Sequence, residues 1–412
     1  MSSVGWIDFS RAHHNRVMSL LDMFRDEGVV DELGVGTIRD SLSDLLFPGT
    51  STIQTRAKYF LIVPWIFQDI ERRGRITSFL SELEESEIDI TKVLRSTSKT
   101  AGIIGATLPN ANPKRKPSSI YWNGLRTYGI LHFKGSIVDY ANHLKHHQKK
   151  LKNQRIQLIE SDGNVPGDDR DANHLYQLHL WYQIPKPPED WKTNLSIALS
   201  EEEARFLKER IVRSCPESLW ACILNYYSDE AKSFAGIIDF LTITNLPVHL
   251  KEQVRLAVDF NTIMKGVLIR YNLLIQRNRE NGRLDEIEPL WQDYWSEIQG
   301  HNWHQWATER LWHYCPYTQY PTKQFVERWI ELVRAKTFDS ASAEQLIKKR
   351  ELDLKGISRA RLQDRSIAQR QDAFSGIGVR EDGSVEYLTY RWGTVRTFLN
   401  DIQNGLANNA AA

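Results

Sequence analysis

The chain has 412 residues, of which 41% are hydrophobic and 25% are charged, and its formal net charge is +1. This length and composition predict a globular protein of two or three domains with enough apolar side chains to bury a core. The near-zero net charge excludes polyanion binding through overall charge, so any nucleic-acid site must be a local patch.

The cysteines and the apolar runs bear on the cellular compartment. Cys215, Cys222 and Cys315 are too few and too widely spaced for a disulfide framework. The longest dense apolar run, from Tyr59 to Phe67, has about half the length that a membrane span requires, and the first residues lack an apolar signal core. We therefore expect a cytoplasmic protein without membrane contact.

The first 110 residues predict a helical N-terminal domain. Apolar residues repeat at helical spacing over 11–28, and a second helix is predicted from Thr37 to just before Pro48-Gly49. A third helix is predicted to start at residues 50–52 and to kink or restart at Pro64. The second and third helices, hinged on "FPGTST", predict a helix-turn-helix-like unit.

Residues 111–195 predict a small mixed α/β domain. The stretch that spans its start, "TAGIIGATLPNANPKRKPSS", is rich in Gly, Pro, Ser and Asn and indicates a boundary. "SIYWNGLRTYGIL" fits either a strand and turn or a short helix, "SIVDYANHLKHHQKKLKNQR" favours a helix, and "HLYQLHLWYQ" alternates weakly.

Residues 196–412 predict a helical C-terminal domain. Ser200 precedes "EEEARFLKERIV", whose acidic first turn is typical of a helix start. "PVHLKEQVRLAVDFNTIMKGVLIRYNLLIQRN" favours one long amphipathic helix, and further helices follow. The predicted fold is therefore mainly α, with domains at 1–110, 111–195 and 196–412.

A helix-turn-helix places the start of its second helix in the major groove of DNA. In this sequence that register offers polar and basic side chains suited to phosphates and base edges. They are Thr52, Gln54, Thr55, Arg56 and Lys58. The alternative is that these groups cap the helix and solvate its outer face.

A second candidate nucleic-acid site combines basic and aromatic residues, which neutralise phosphates and stack on bases. Its members are Arg115, Tyr121, Trp122, Arg126, Lys145, Lys149 and Lys150. The alternative is a solvated helix face that pairs with the acidic stretch at 160–171.

The sequence gives little support for any catalytic motif. "HNWHQWATERLWHYC" lacks the spacing of a zinc site, and an aromatic-rich helical core is the favoured interpretation. Asp8, Asp40 and Asp44 leave a divergent metal-dependent nuclease as an alternative. Phosphate-binding loops, dinucleotide fingerprints and nucleophile elbows are absent from the sequence. We expect no catalytic residues and no cofactor.

Three blocks of the chain, "WIDFS", "DELGVGTIRDSLSDLLFPGTSTIQTRAKYFLIVPW" and "YRWGTVRTFLNDIQNGL", resemble an uncharacterised bacterial family of unknown function. The resemblance extends from Trp6 through "IYWNGLR" to the C-terminus. It implies no catalytic residues. It does imply that family members accompany helicases and nucleases in phage-defence and DNA-modification islands.

Together these observations predict a non-catalytic component of a bacterial anti-phage defence system. We expect it to bind duplex or single-stranded DNA, a helicase or nuclease subunit of a defence complex, or both. The alternatives are the divergent nuclease and a pure protein–protein adaptor.

Overall fold

The computed structural model describes residues 31, 33–73, 78–98, 101–108, 110–147, 180–280, 282–363, 378–379 and 385–407. These residues are mainly α-helical, as predicted. The helix predicted at 11–28 and the candidate carboxylate Asp8 lie outside them.

The α-helices are named in chain order. They are α1 (Gly36–Leu46), α2 (Tyr59–Arg72), α3 (Phe79–Thr97), α4 (Pro117–Thr127), α5 (137–147), α6 (Glu201–Ser214), α7 (Leu219–Cys222), α8 (Ser228–Ala231), α9 (Val248–Arg277), α10 (Leu284–Gln299), α11 (Thr308–Tyr314), α12 (Tyr320–Arg334), α13 (Ala341–Lys355) and α14 (Trp392–Ala407). A π-helical turn, Ile223–Tyr227, separates α7 from α8, and 3-10 turns cover Ile237–Thr242 and Trp303–Gln305.

Strand structure within the described residues is slight. β1 (Gly378–Val379) pairs antiparallel with β2 (Val385–Glu386), with Gly378 opposite Glu386. A single isolated bridge joins Leu131 to Trp181. Among the helices that the structure describes, none combines the length and the apolar character needed to cross a membrane.

The chain forms two compact units. In the described residues, unit 1 comprises Phe47–Ser233 and 393–407, and unit 2 comprises 31–46 and Phe234–Trp392. The sequence predicted boundaries between independently folding domains at residues 110 and 195. These boundaries stay a prediction. The two helices of the predicted helix-turn-helix belong to different units, with α1 in unit 2 and α2 in unit 1.

The mixed α/β middle domain predicted for 111–195 is not supported. The ambiguous stretch at 117–129 forms α4, because Pro117 is compatible with a first helical turn. Tyr121, Leu125 and Tyr128 repeat at helical spacing and are fully buried in unit 1. Burial of these three side chains at helical spacing explains why the stretch forms a helix and not the strand alternative.

The core of unit 1 is built around α2. Its residues Tyr59 to Phe67 are all buried, so the helix is apolar on every face, as expected for an element inside a core. The helix runs through Pro64 without restarting. Phe67 packs against Trp122 and Trp181, with ring centroids 5.4 Å away in both cases.

Unit 2 is organised by α9, the long helix that the sequence predicted.

A fully buried carboxylate in unit 2, Glu351, holds the chain that follows α13. It accepts hydrogen bonds from Tyr271 Oη at 2.6 Å and from the backbone amides of Arg361 and Leu362, both at 2.9 Å. These partners satisfy a buried charge that would otherwise be costly.

Candidate nucleic-acid interface

The predicted recognition residues lie in the connector before α2. The helix begins at Tyr59 and not at residues 50–52 as predicted. Thr52, Gln54, Thr55 and Arg56 precede it, and Lys58 is its N-cap residue. The position expected to present base-reading side chains is therefore an irregular segment, which we call the 47–58 connector.

A glycine with left-handed backbone geometry, Gly49, lies near the start of this connector. Gly49 has φ +79°, a conformation that residues with a Cβ adopt at a cost. A Cβ at this position would lie 2.7 Å from a ring carbon of Tyr128. The side chain of Gln54 then closes the turn, because its amide nitrogen donates to Gly49 O at 3.3 Å and its carbonyl accepts from Ser51 N at 3.0 Å.

The hydroxyl of Tyr121 holds the middle of the connector. It accepts from the backbone amides of Thr55 at 2.9 Å and Arg56 at 3.0 Å, and it donates to Arg56 O at 2.9 Å. Burial raises the pKa of Tyr121. A residue predicted to stack on bases is thus a buried anchor of the fold.

Arg56 pairs with Asp401 of α14 inside unit 1. Its Nε lies 3.1 Å and 3.0 Å from the two carboxylate oxygens, and a terminal nitrogen lies 2.6 Å from one of them. Ala57 N donates to the same carboxylate at 2.9 Å. The two side chains are only 13% and 6% exposed, so the guanidinium is neutralised by a geometry typical of strong Arg–carboxylate pairs.

Lys58 is neutralised in the same way. It is 4% exposed and forms an ion pair with Glu203 of α6. Burial lowers the pKa of Lys58, an effect that the Glu203 carboxylate opposes. Glu203 also accepts from Ser200 N at 2.7 Å as part of a capping box.

The connector therefore presents little cationic surface to a phosphate. Gln54 and Lys58 are buried, Thr55 and Arg56 are half-buried, and Thr52 is exposed. Sequence reasoning missed Asp401 and Glu203 as the partners that occupy these cations. The acidic first turn of α6 was recognised, but nothing local indicated its cationic partner.

The aromatic half of the second cluster is also internal. Trp122 is buried, and its indole Nε1 donates to Gly135 O at 2.9 Å.

Arg126, a basic member of the same cluster, is half-buried, and burial lowers the pKa of its guanidinium. Arg115 is half-buried, while Lys149 and Lys150 lie outside the described residues. Base stacking on Tyr121 or Trp122 would require opening the core of unit 1.

Lys145 is the member of the second cluster that is exposed among the described residues, and it lies on α5. Lys134, His143 and His146, which were not predicted, are exposed on or beside the same helix, and we call these four residues the basic surface. The opposite side of α5 is buried through Tyr140, which packs against Phe67 at 5.3 Å between ring centroids.

Within residues 137–147 of α5 the acid is Asp139, which contacts the start of the helix. Asp139 accepts from Ser136 N at 2.9 Å and from Ser136 Oγ at 2.8 Å, at the start of α5. The remaining α5 residues, 140–147, include no acid. Within the described residues, α5 thus carries a short basic surface, and the acidic stretch at 160–171, predicted as its alternative partner, lies outside them.

The candidate nuclease carboxylates of unit 2 face a guanidinium. Arg391 forms an ion pair with Asp44 and lies 3.6 Å from Asp40, which also pairs with Arg39 at 3.0 Å. Tyr390 and Arg391 both have positive φ, 47° and 65°, a strained pair that sets the direction of the arginine. A guanidinium in this position competes with a divalent cation for the carboxylates.

The histidine and cysteine candidates do not converge. His301, His304 and His313 are exposed, whereas Cys315 is buried. Burial raises the pKa of the Cys315 thiol to about 12, so it stays protonated and unreactive. No group of three or more potential metal ligands occurs in the part of the chain that the structure describes.

Comparison with known proteins identifies a family of unknown function. Residues 1–174 and 167–405 match the model of a family described as a family of unknown function, DUF6361. These matches cover most of the chain, which therefore belongs to this family. No curated protein and no solved structure matches the chain.

Proposed function

We propose that this member of the DUF6361 family is a non-catalytic, cytoplasmic component of a bacterial anti-phage defence system and contacts DNA through the basic surface of α5. The observation that supports the proposal is a difference in exposure among the basic side chains of unit 1. Arg56 and Lys58 are neutralised inside unit 1, whereas Lys134 and Lys145 are exposed.

The size of the basic surface limits what it can do alone. Each lysine that neutralises a phosphate releases counterions and adds about −0.9 to the slope of log affinity against log salt for duplex DNA. Two lysines predict weak binding that is lost as salt rises. We therefore propose that a helicase or nuclease subunit supplies the rest of the DNA contact.

The test is fluorescence polarisation with labelled duplex and single-stranded oligonucleotides at low salt. We expect Lys145→Glu to weaken binding by roughly tenfold, because it replaces an attraction to phosphate by a repulsion. The matched control is Lys186→Glu, since Lys186 is an exposed lysine of unit 1 that does not belong to α5 or to the basic surface. The control should bind like the wild type.

Two results would reject this interface. One is wild-type protein that does not bind either oligonucleotide at low salt. The other is an equal loss of affinity in the α5 variant and in the control, which would indicate a general charge effect.

A pure adaptor is the second candidate function. It is favoured by exposed aromatic side chains in unit 2, where Tyr317 and Tyr320 are each 69% exposed. Tyrosines of this kind are enriched in protein–protein interfaces. Co-purification with the products of neighbouring genes, by a protein without DNA affinity of its own, would favour the adaptor.

A further inference from the structure

Unit 1 carries a group of aromatic rings beside the basic surface. The ring centroid of Tyr182 lies 6.3 Å from that of His132 and 6.2 Å from that of Phe206 on α6. The guanidinium carbon of Arg210, also on α6, lies 4.0 Å from the ring centroid of Tyr182. His132 is exposed and the other three residues are half-buried. We call these four residues the ring surface.

Backbone pairing holds two of these rings together. The isolated bridge joins Leu131 to Trp181, and both of these residues are buried. On either side of the bridge, the amides of His132 and Tyr182 donate to backbone carbonyls at 2.7 Å and 2.8 Å. The main chain therefore fixes the positions of His132 and Tyr182 relative to each other.

The guanidinium of Arg210 is held by neutral acceptors. It donates to Tyr128 O at 3.0 Å and 2.9 Å, to Gly129 O at 3.1 Å and to Ser214 Oγ at 3.4 Å. Within the part of the chain that the structure describes, Arg210 forms no ion pair. Its positive charge therefore lies against Tyr182 without an acid to neutralise it.

The ring surface adjoins the basic surface. His132 and Lys134 are two residues apart, so their Cα atoms lie within about 7 Å of each other. Between them, Phe133 packs on α5, with its ring centroid 5.6 Å from that of His143. Cations and aromatic rings are therefore neighbours on the same part of unit 1.

Acids of α6 limit this region on one side. Glu209 lies 4.0 Å from Arg213. Glu202 is exposed and lies one helical turn before Phe206, so it repels a phosphate at that end of the ring surface. Phosphates therefore fit on the side of Lys134 and Arg210.

We propose that the ring surface stacks on the bases of single-stranded DNA, whose phosphates contact Lys134, Lys145 and Arg210. The proposal rests on the DNA contact proposed for α5 and adds which form of DNA is bound. Aromatic rings and guanidinium groups stack on unpaired bases of any sequence. In a duplex the bases stack on one another, so their faces are closed to these rings.

The test is fluorescence polarisation at low salt with full-length protein and three labelled probes of equal length: an oligothymidine strand, an abasic strand and a duplex. We expect His132→Leu/Tyr182→Leu to weaken binding of the oligothymidine strand by about tenfold, because stacking is lost. Its affinity for the abasic strand and the duplex should stay within about twofold of the wild type. His132→Phe/Tyr182→Phe retains both rings and should bind oligothymidine like the wild type.

The matched control is Tyr226→Leu/Tyr227→Leu. These two rings of unit 1 are also 6.3 Å apart, and again one residue is exposed and the other half-buried. They do not belong to the ring surface. The control should bind all three probes within about twofold of the wild type.

Two outcomes overturn the proposal. One is wild-type protein that binds the oligothymidine and abasic strands equally, including no binding of either. The other is a leucine variant of the ring surface that loses no more affinity for oligothymidine than for the abasic strand.

Lys145→Glu distinguishes failure of this proposal from failure of the α5 interface. If Lys145→Glu weakens binding of all three probes while the leucine variant of the ring surface binds like the wild type, the ring surface alone is rejected. If Lys145→Glu binds every probe like the wild type, the α5 interface is rejected and the ring surface with it.

Discussion

The pair of Arg56 and Asp401 yields the sharpest stability prediction. Asp401→Ala leaves a half-buried guanidinium without its carboxylate and Ala57 N without its acceptor. Breaking a buried ion pair by removing one partner costs about 3–5 kcal/mol. At about 2–4 °C per kcal/mol, the transition that unfolds unit 1 should move down by roughly 10 °C.

The assay is chemical and thermal denaturation followed by circular dichroism. The matched control is Arg205→Ala, which removes an arginine from an exposed ion pair with Glu201 on α6. Such a surface pair contributes about 0.3–0.5 kcal/mol, so the control should unfold like the wild type.

A double substitution separates charge from packing. Arg56→Met/Asp401→Leu replaces both partners by apolar side chains, so no charge is left buried. It should recover a large part of the stability that Asp401→Ala loses. The reasoning is refuted if Asp401→Ala is as stable as the control, or if Arg56→Met abolishes DNA binding without lowering stability.

Three further predictions concern buried groups. Burial raises the pKa of Glu87 to about 7 in the folded state, against an ordinary value of 4.5. Between pH 4.5 and 7 the side chain is therefore mostly protonated in the folded state and mostly ionised in the unfolded state. Wild-type stability should therefore fall relative to Glu87→Gln as pH rises from about 4.5 to 7, by up to roughly 3 kcal/mol in urea titrations; parallel pH profiles would contradict this. Gly49→Ala should destabilise by more than about 1 kcal/mol in the same titrations, because of its positive φ and the nearby Tyr128 ring, whereas Gly393→Ala, with open space around it, should not. Native Cys315 should resist a thiol reagent that labels it rapidly in denaturant, and fast labelling in native conditions would refute its burial.

Local signals predicted several elements of the fold correctly. The end of α1 before Pro48 follows from a residue that cannot continue a helix. The start of α6 follows from Ser200 and the acids after it, and the structure shows the capping box there. The length of α9 follows from an uninterrupted helical period.

The predictions that failed depended on contacts distant in sequence. The start of α2 was placed too early because Thr50 to Thr52 are good capping residues. The connector instead takes its shape from Tyr121, some 65 residues away, and Asp401, some 345 residues away. Neither contact can be recognised from the residues around the connector. The same contacts remove Arg56 from the surface.

The most direct test of the proposed interface is the salt dependence of DNA affinity. The slope of log affinity against log salt should become less steep by about 2 units in Lys134→Ala/Lys145→Ala, because two phosphate contacts are lost. An unchanged slope in this variant would contradict the assignment of DNA contact to the basic surface of α5.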